Sequence, residues 1–265
     1  MVDYSSYRYI AFEKSGRIMT VTFNRPEALN AMTAAMHEET SRLFYDLGMD
    51  HTIDVVILTG AGKAFSAGGD IAGMREMYEK PELFDLGIME AKKVVFGILD
   101  CDKILICKMN GDAVGLGATI GLFCDVIFAA DHARIGDPHV RVGLAAGDGG
   151  AIIWPQLIGY ARAKEYLLTG DLMTAKDAAA MGLINHAVPA AELDAKVDAF
   201  ARKIAGGAMK SIKFTKTAIN IGLKQLAHSM MDTCMAYEAL SNRTDDHREA
   251  IEAFSEKRKP NFTGT

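Results

Sequence analysis

Two glycine-bearing turns carry the residues whose types and spacing suit chemistry. One reads Ala64-Phe-Ser-Ala-Gly-Gly-Asp-Ile71 and the other Asn110-Gly-Asp-Ala-Val-Gly-Leu-Gly117. Each follows a short apolar run and precedes a helix-like stretch. Small residues at a strand end let a ligand approach the backbone closely. The first N–H groups of a helix lack partners and carry partial positive charge. One such group from each turn could grip a single carbonyl oxygen and stabilise charge gained there during reaction, as an oxyanion hole does. The alternative is tight backbone packing between helix and sheet.

Other glycine-based and metal chemistries do not fit. Gly115-Leu-Gly117-Ala-Thr-Ile-Gly121 places its third glycine one residue late for a dinucleotide fingerprint, G-x-G-x-x-G. Gly60-Ala-Gly62-Lys63 has Ile57 where a P-loop needs its first glycine, and Ala64 where it needs a hydroxyl. No G-x-S-x-G elbow is present. The histidines His37, His51, His132, His139, His186, His228 and His247 show no H-x-x-x-H spacing, so no metal site is expected.

The elements that must position the two turns follow from periodicity. Residues 8–12 and 17–24 alternate as paired strands, with 14–16 as the turn. Residues 33–47 and 82–99 have helical spacing. Residues 54–59 and 103–109 are continuous apolar runs, as strands buried on both faces are. Residues 113–123 read as a helix start and 125–130 as a strand. Thr174 and Asp177 have capping-box spacing for a helix ending before Gly182. A strand at 183–188 follows, then helix to about residue 257. Residues 78–87 read as a mobile loop, and Met74, Met77 and Phe84 near it are expected to shape a pocket. Interleaved strands and helices argue an α/β fold. The helical tail has an apolar face (Leu223, Leu226, Met230, Met231, Met235) that must cover the core or a neighbouring subunit.

Composition bounds the function. The 265 residues are 49% hydrophobic and 24% charged, with net charge −5. No basic stripe suggests nucleic acid. The C-terminal quarter is mildly basic, which suits either a solvated helical surface or a seat for a phosphate-bearing ligand. Four cysteines without C-x-x-C spacing fit a reducing, cytoplasmic setting. Residues 113–130 are almost wholly apolar, but three early glycines and Asp125 read as buried core. A membrane span of ~20 apolar residues is not expected.

The chain resembles the crotonase superfamily, also called the enoyl-CoA hydratase/isomerase family. The stretches that carry the resemblance are Asn24-Arg-Pro-Glu-Ala-Leu-Asn-Ala-Met32, Val56-Ile-Leu-Thr-Gly60 through Ala67-Gly-Gly-Asp-Ile71, Asn110-Gly111 through Gly117, Cys124-Asp125, Leu168-Thr-Gly170 and residues 254–262. It implies an α/β spiral of ββα units over residues 1–190. A helical region over 191–265 would cover the site and form a homotrimer or dimer of trimers. It also implies an acyl-CoA substrate and no permanently bound cofactor. By motif position the oxyanion donors are the backbone N–H groups of Gly69 and Leu116. Coenzyme A or acyl contacts fall on Ala28, Lys63, Ser66, Ala67, Gly68, Asp70, Ile71, Gly115, Pro138 and Leu144. Lys257 would reach a phosphate from a neighbouring subunit, or be a solvated helix end.

Hydratases of this family add water with two glutamates, and this chain has Thr119 and His139 at those positions. A threonine hydroxyl orients water but is a poor base. An imidazole exchanges protons near neutral pH. Asp148 lies one position after the site of an acidic residue in some isomerases of the family. His139 and Asp148 are therefore the expected proton-handling pair, with Asp112 a lesser candidate. Asp148 also suits a helix cap, and His139 a structural role. Ordinary crotonyl-CoA hydration is not expected. Double-bond isomerisation, thioester hydrolysis and non-catalytic acyl-CoA binding are the alternatives.

Overall fold

A computed structural model describes residues 2–265. The strands and helices alternate in chain order. β1 (Ile10–Ser15) and β2 (Ile18–Phe23) form an antiparallel hairpin, followed by α1 (Ala34–Met49) and β3 (Val55–Gly60). Next come α2 (Ile71–Glu79), α3 (Pro81–Asp100), β4 (Ile104–Met109), β5 (Ala113–Val114) and α4 (Leu116–Leu122). β6 (Val126–Ala130), β7 (Arg134–Gly136), α5 (Gly150–Thr169), β8 (Met173–Thr174), α6 (Ala175–Met181) and β9 (His186–Val188) complete the interleaved part. Three helices close the chain: α7 (Ala190–Ala205), α8 (Met209–Ser241) and α9 (Asp245–Glu256).

The main sheet has the order β1-β2-β3-β4-β6-β9, parallel beyond the hairpin. A second sheet, β5-β7-β8, stands beside the second glycine turn. Every residue of β3 is buried, as a parallel strand covered on both faces must be. Its alternate residues serve two cores. Val56 and Leu58 join the large core with α1, α3 and α4, while Val55 and Ile57 pack with Leu193, Val197 and Ala201 of α7. The apolar face of α8 closes over the large core through Ala227, Met231 and Met235, with Leu223, Leu226 and Met230 packed alongside.

The structure shifts several sequence-based boundaries. β1 runs through to Ser15, so the hairpin turn is Gly16-Arg17, with Gly16 at φ +60°. Residues 113–114 form a short strand before α4 begins. The strand read at 183–188 is only His186–Val188. Residues 78–87 are not a loop. They are the end of α2 and the first turns of α3, divided at Lys80. Pro81 occupies the first turn of α3, where its fixed φ and missing N–H cost a helix nothing. The capping box holds as read, with Thr174 accepting from the Asp177 N–H and Gly182 left-handed at φ +87°.

Candidate active site

The two glycine turns are tied to each other. Asn30, fully buried, donates from Nδ2 to the carbonyls of Ala61 and Ala64 at 2.9 Å, and its Oδ1 accepts the Arg25 N–H. Ser66 Oγ donates to the Asn30 carbonyl at 2.8 Å and accepts the Gly68 N–H at 3.2 Å. Asn110 Nδ2 donates to the Gly62 carbonyl at 3.0 Å. The Val114 N–H donates to the Ser66 carbonyl at 2.9 Å, joining one turn to the other. Gly68 has φ +82°, and a Cβ there would lie 2.7 Å from the Val114 carbonyl oxygen. Only glycine lets the turns approach this closely.

This stitching leaves two backbone donors free. The Met32 N–H takes the Gly68 carbonyl and the Asp70 N–H takes the Met32 carbonyl, bracketing Gly69. Neither the Gly69 N–H nor the Leu116 N–H has an acceptor among the described residues. Leu116 is the first residue of α4. Gly69 lies just before Asp70, the N-cap of α2, so it is not itself helical. Both residues line one cavity of about 420 Å³.

The same cavity holds His139, Leu144 and Asp148. His139 opens a 3-10 turn, His139–Val142, after β7. Its Nδ1 is hydrogen-bonded to the buried Asp137 carboxylate. Its Nε2 lies 3.5 Å from Asp148 Oδ2, an ion pair rather than a tight hydrogen bond. Asp148 Oδ1 accepts from the Thr119 hydroxyl at 3.1 Å. The N-cap of α5 is Gly149, without a side-chain cap of its own, and the N–H of Gly150 at the start of that helix also acts on the Asp148 carboxylate. Asp137, His139 and Asp148 place ligand-type atoms within 4.8 Å of one another. A bound cation would have to displace a ring N–H proton of the imidazolium that these two acids flank.

Burial alone would strip the proton from His139. The Asp137 and Asp148 carboxylates outweigh it and hold the imidazole protonated well above its usual range. Burial pushes Asp148 above the usual carboxylate range, with the imidazolium opposing. Glu238 of α8 lines the cavity too. Burial pushes its carboxyl up to about 8; the imidazolium of His139 opposes this, and the charges of Asp148 and Asp137 reinforce it. Groups coupled this strongly titrate together rather than one by one.

The other expected contacts divide. Asp70 lines the cavity, caps α2 and pairs with Arg25 at 2.8 Å. Met74, Met77 and Phe84 shape the wall as expected. Ser66, Gly68 and Gly115 are buried in the turns, and Ser66 is fully enclosed, so it builds the site without facing it. Ala28, Lys63, Ala67, Ile71 and Pro138 lie outside the cavity wall, with Lys63 exposed. Lys257 is an exposed left-handed residue ending α9, away from the cavity. Asp112 is also outside it. Its carboxylate takes the Arg134 N–H and guanidinium, which fixes the second turn.

Two participants escaped the sequence reading. Asp137 stands beside His139 in Gly136-Asp-Pro-His139, and its nearness alone was a signal. Glu238 gave none, because the facing of a long helix is a tertiary fact. A further pair, His37 Nδ1 and Glu90 Oε2 at 2.5 Å, lies in the cavity wall between α1 and α3.

The enoyl-CoA hydratase/isomerase family model matches residues 13–265. The chain belongs to this family. It is similar to a short-chain-enoyl-CoA hydratase of Clostridium acetobutylicum, with 36% identity over 94% of this chain and 95% of that protein. Among solved structures, an enoyl-CoA hydratase/isomerase from Mycobacterium paratuberculosis superposes with TM-score 0.90, at 34% identity over 94% of this chain and 99% of that one. A β-diketone hydrolase from the cyanobacterium Anabaena superposes with TM-score 0.84, at 28% identity over 91% and 96%. The fold is thus the crotonase-like α/β spiral, and the chain is an enzyme of the lyase and isomerase type.

Proposed function

We propose that the enzyme acts on acyl-CoA thioesters, holding the thioester carbonyl between the Gly69 and Leu116 N–H groups. The observation that carries this reading is their shared cavity. Two residues with unpartnered backbone donors line the cavity that also holds an imidazole clamped by carboxylates. The His139–Asp148 pair removes a proton from substrate, and the charge passes to the thioester oxygen as an enolate. Preorganised donors stabilise such charge strongly, because they need no reorganisation. Thr119 orients Asp148. The absence of glutamate at 119 and 139 disfavours ordinary hydration and favours double-bond isomerisation.

A second reading is hydrolysis, with the same pair drawing a proton from water that attacks the held carbonyl. The alignment of Asp137, His139 and Asp148 supports it, and so does the likeness to a β-diketone hydrolase.

We further infer that Ala28, Lys63, Ala67 and Ile71 seat the coenzyme A moiety along the rim of the first turn, with no permanent cofactor needed. Lys257 would meet a phosphate from a neighbouring subunit. Residues 191–265 would both close the site and form the contacts of a homotrimer or dimer of trimers. The exposed apolar side chains Phe214, Ile219 and Tyr237 on α8 support such contacts. Among the described residues, no helix is long and apolar enough to cross a membrane.

A screen of enoyl-CoAs, saturated acyl-CoAs and β-diketones, read by absorbance and mass spectrometry, tests these readings. A shifted double bond supports isomerisation, and cleaved product supports hydrolysis. Acyl-CoA binding without turnover of any compound would overturn both.

A further inference from the structure

The charge-handling groups of the cavity do not end with His139 and Asp148. Met235 and Glu238 of α8 and Asn242, its C-cap, follow one another at the spacing that aligns helical side chains, and all three line the cavity. Glu238 is buried, and its Oε2 has no hydrogen-bond partner among the described residues. The loop before α5 presses directly on it. A Cβ at Gly147 would lie 2.8 Å from Glu238 Oε2 and 2.3 Å from the Cys234 carbonyl oxygen. A buried carboxyl with an idle oxygen is costly unless something uses it. The charged or titratable groups that act on it are His139 and Asp148 in the cavity wall, Asp137 behind them and Cys234 on its own helix, with the Gly147 N–H beside it. None of them is a lysine or arginine that would fix it as a structural ion pair.

We propose that Glu238 is a third catalytic residue, a carboxylic acid brought by α8 to the acyl portion of the substrate. It supplies the carboxyl that positions 119 and 139 lack. The role rests on the acyl-CoA reading above. The His139–Asp148 pair takes a proton from the α- or γ-carbon, and the C–H electron pair becomes the enolate held by Gly69 and Leu116. Glu238 then gives its O–H proton to the other end of the enolate system. A new C–H bond forms there, the double bond is displaced, and Glu238 is left as carboxylate. The proton held by the pair returns to Glu238, so the cycle closes without a co-reactant. The substrate class is an enoyl-CoA whose double bond can move between conjugated and unconjugated positions.

Two half-reactions separate this role from its foundation. Exchange of α-protons of a saturated acyl-CoA with deuterium oxide needs the donors and the pair alone. Double-bond migration needs Glu238 as well. Glu238→Gln is expected to keep the fold and a measurable exchange rate, and to lose migration by roughly 10²-fold or more relative to exchange, the usual scale for a general acid. Glu238→Asp should recover part of the loss. Migration unchanged in Glu238→Gln but lost in Glu238→Ala would overturn the role, leaving Glu238 only to hold the loop at Gly147. No exchange and no migration in the wild type would overturn the acyl-CoA reading and the role together.

Discussion

The Thr119 hydroxyl donates to Asp148 Oδ1 across 3.1 Å, with both side chains buried. The position where the family resemblance places a glutamate is thus wired to a different acid. Thr119→Val keeps the shape and removes the donor. A buried acceptor left one bond short costs about 1–3 kcal/mol, so the melting temperature should fall. Turnover should fall with it while KM stays near wild type, and Thr119→Ser should restore both. Steady-state kinetics beside thermal melts check this.

His139→Ala and Asp148→Asn should each lower kcat by about 10²–10⁴-fold, the range of general acid–base catalysis, with acyl-CoA affinity little changed. Unchanged turnover in both would remove the pair from the mechanism.

Asp137 acts through His139. Its carboxylate helps hold the imidazole proton, so Asp137→Asn should move the histidine limb of the pH–rate profile to lower pH. A profile of unchanged shape would reduce Asp137 to packing.

Leu116 offers a test of a main-chain donor. It is the first residue of α4, where proline is tolerated because that N–H has no helical partner. Leu116→Pro removes the proposed donor, and turnover should drop by about 10²–10³-fold. Leu116→Ala keeps the N–H and should lose far less. Circular dichroism of both variants establishes that α4 survives.

The pH dependence of stability follows from Glu238. Its carboxyl is raised to about 8 from 4.5, so in that window the folded chain keeps a proton that the unfolded chain releases. Stability must then fall as pH rises toward 8 and level off above it. His139, also raised, adds a fall in the same direction starting above its ordinary range. Melting temperatures measured from pH 5 to pH 9 should decline in the wild type and decline less in Glu238→Gln. Parallel curves would mean that Glu238 does not hold that proton.

What could be read from the sequence was what local chemistry decides. The Thr174–Asp177 cap and Gly182 end α6 as written, because cap and stop lie within a few residues of each other. β3 and β4 were legible as unbroken apolar runs. The segment around Pro81 was not, since a polar stretch with a proline signals a helix start as readily as a loop. Lys257 and Asp112 drew attention by charge or position, but their surroundings are set by α9 and Arg134. Glu238 lies about a hundred residues from the pair it meets, and nothing short of the packing of α8 brings them together.

The free donors at Gly69 and Leu116 belong to the main chain, and the bonds that fix them come from Asn30, Ser66 and Asn110. None of those residues is among 119, 139, 148 or 238. The free donors and the titratable side chains therefore rest on different residues, even where Leu116 and Thr119 share α4. On the proposed mechanism, exchanging a few side chains around the cavity redirects the reaction and leaves the proposed hold on the carbonyl intact. For an engineer, the scaffold is a fixed handle with a replaceable tool head, and the choice of bond to break is open to selection at a small number of codons.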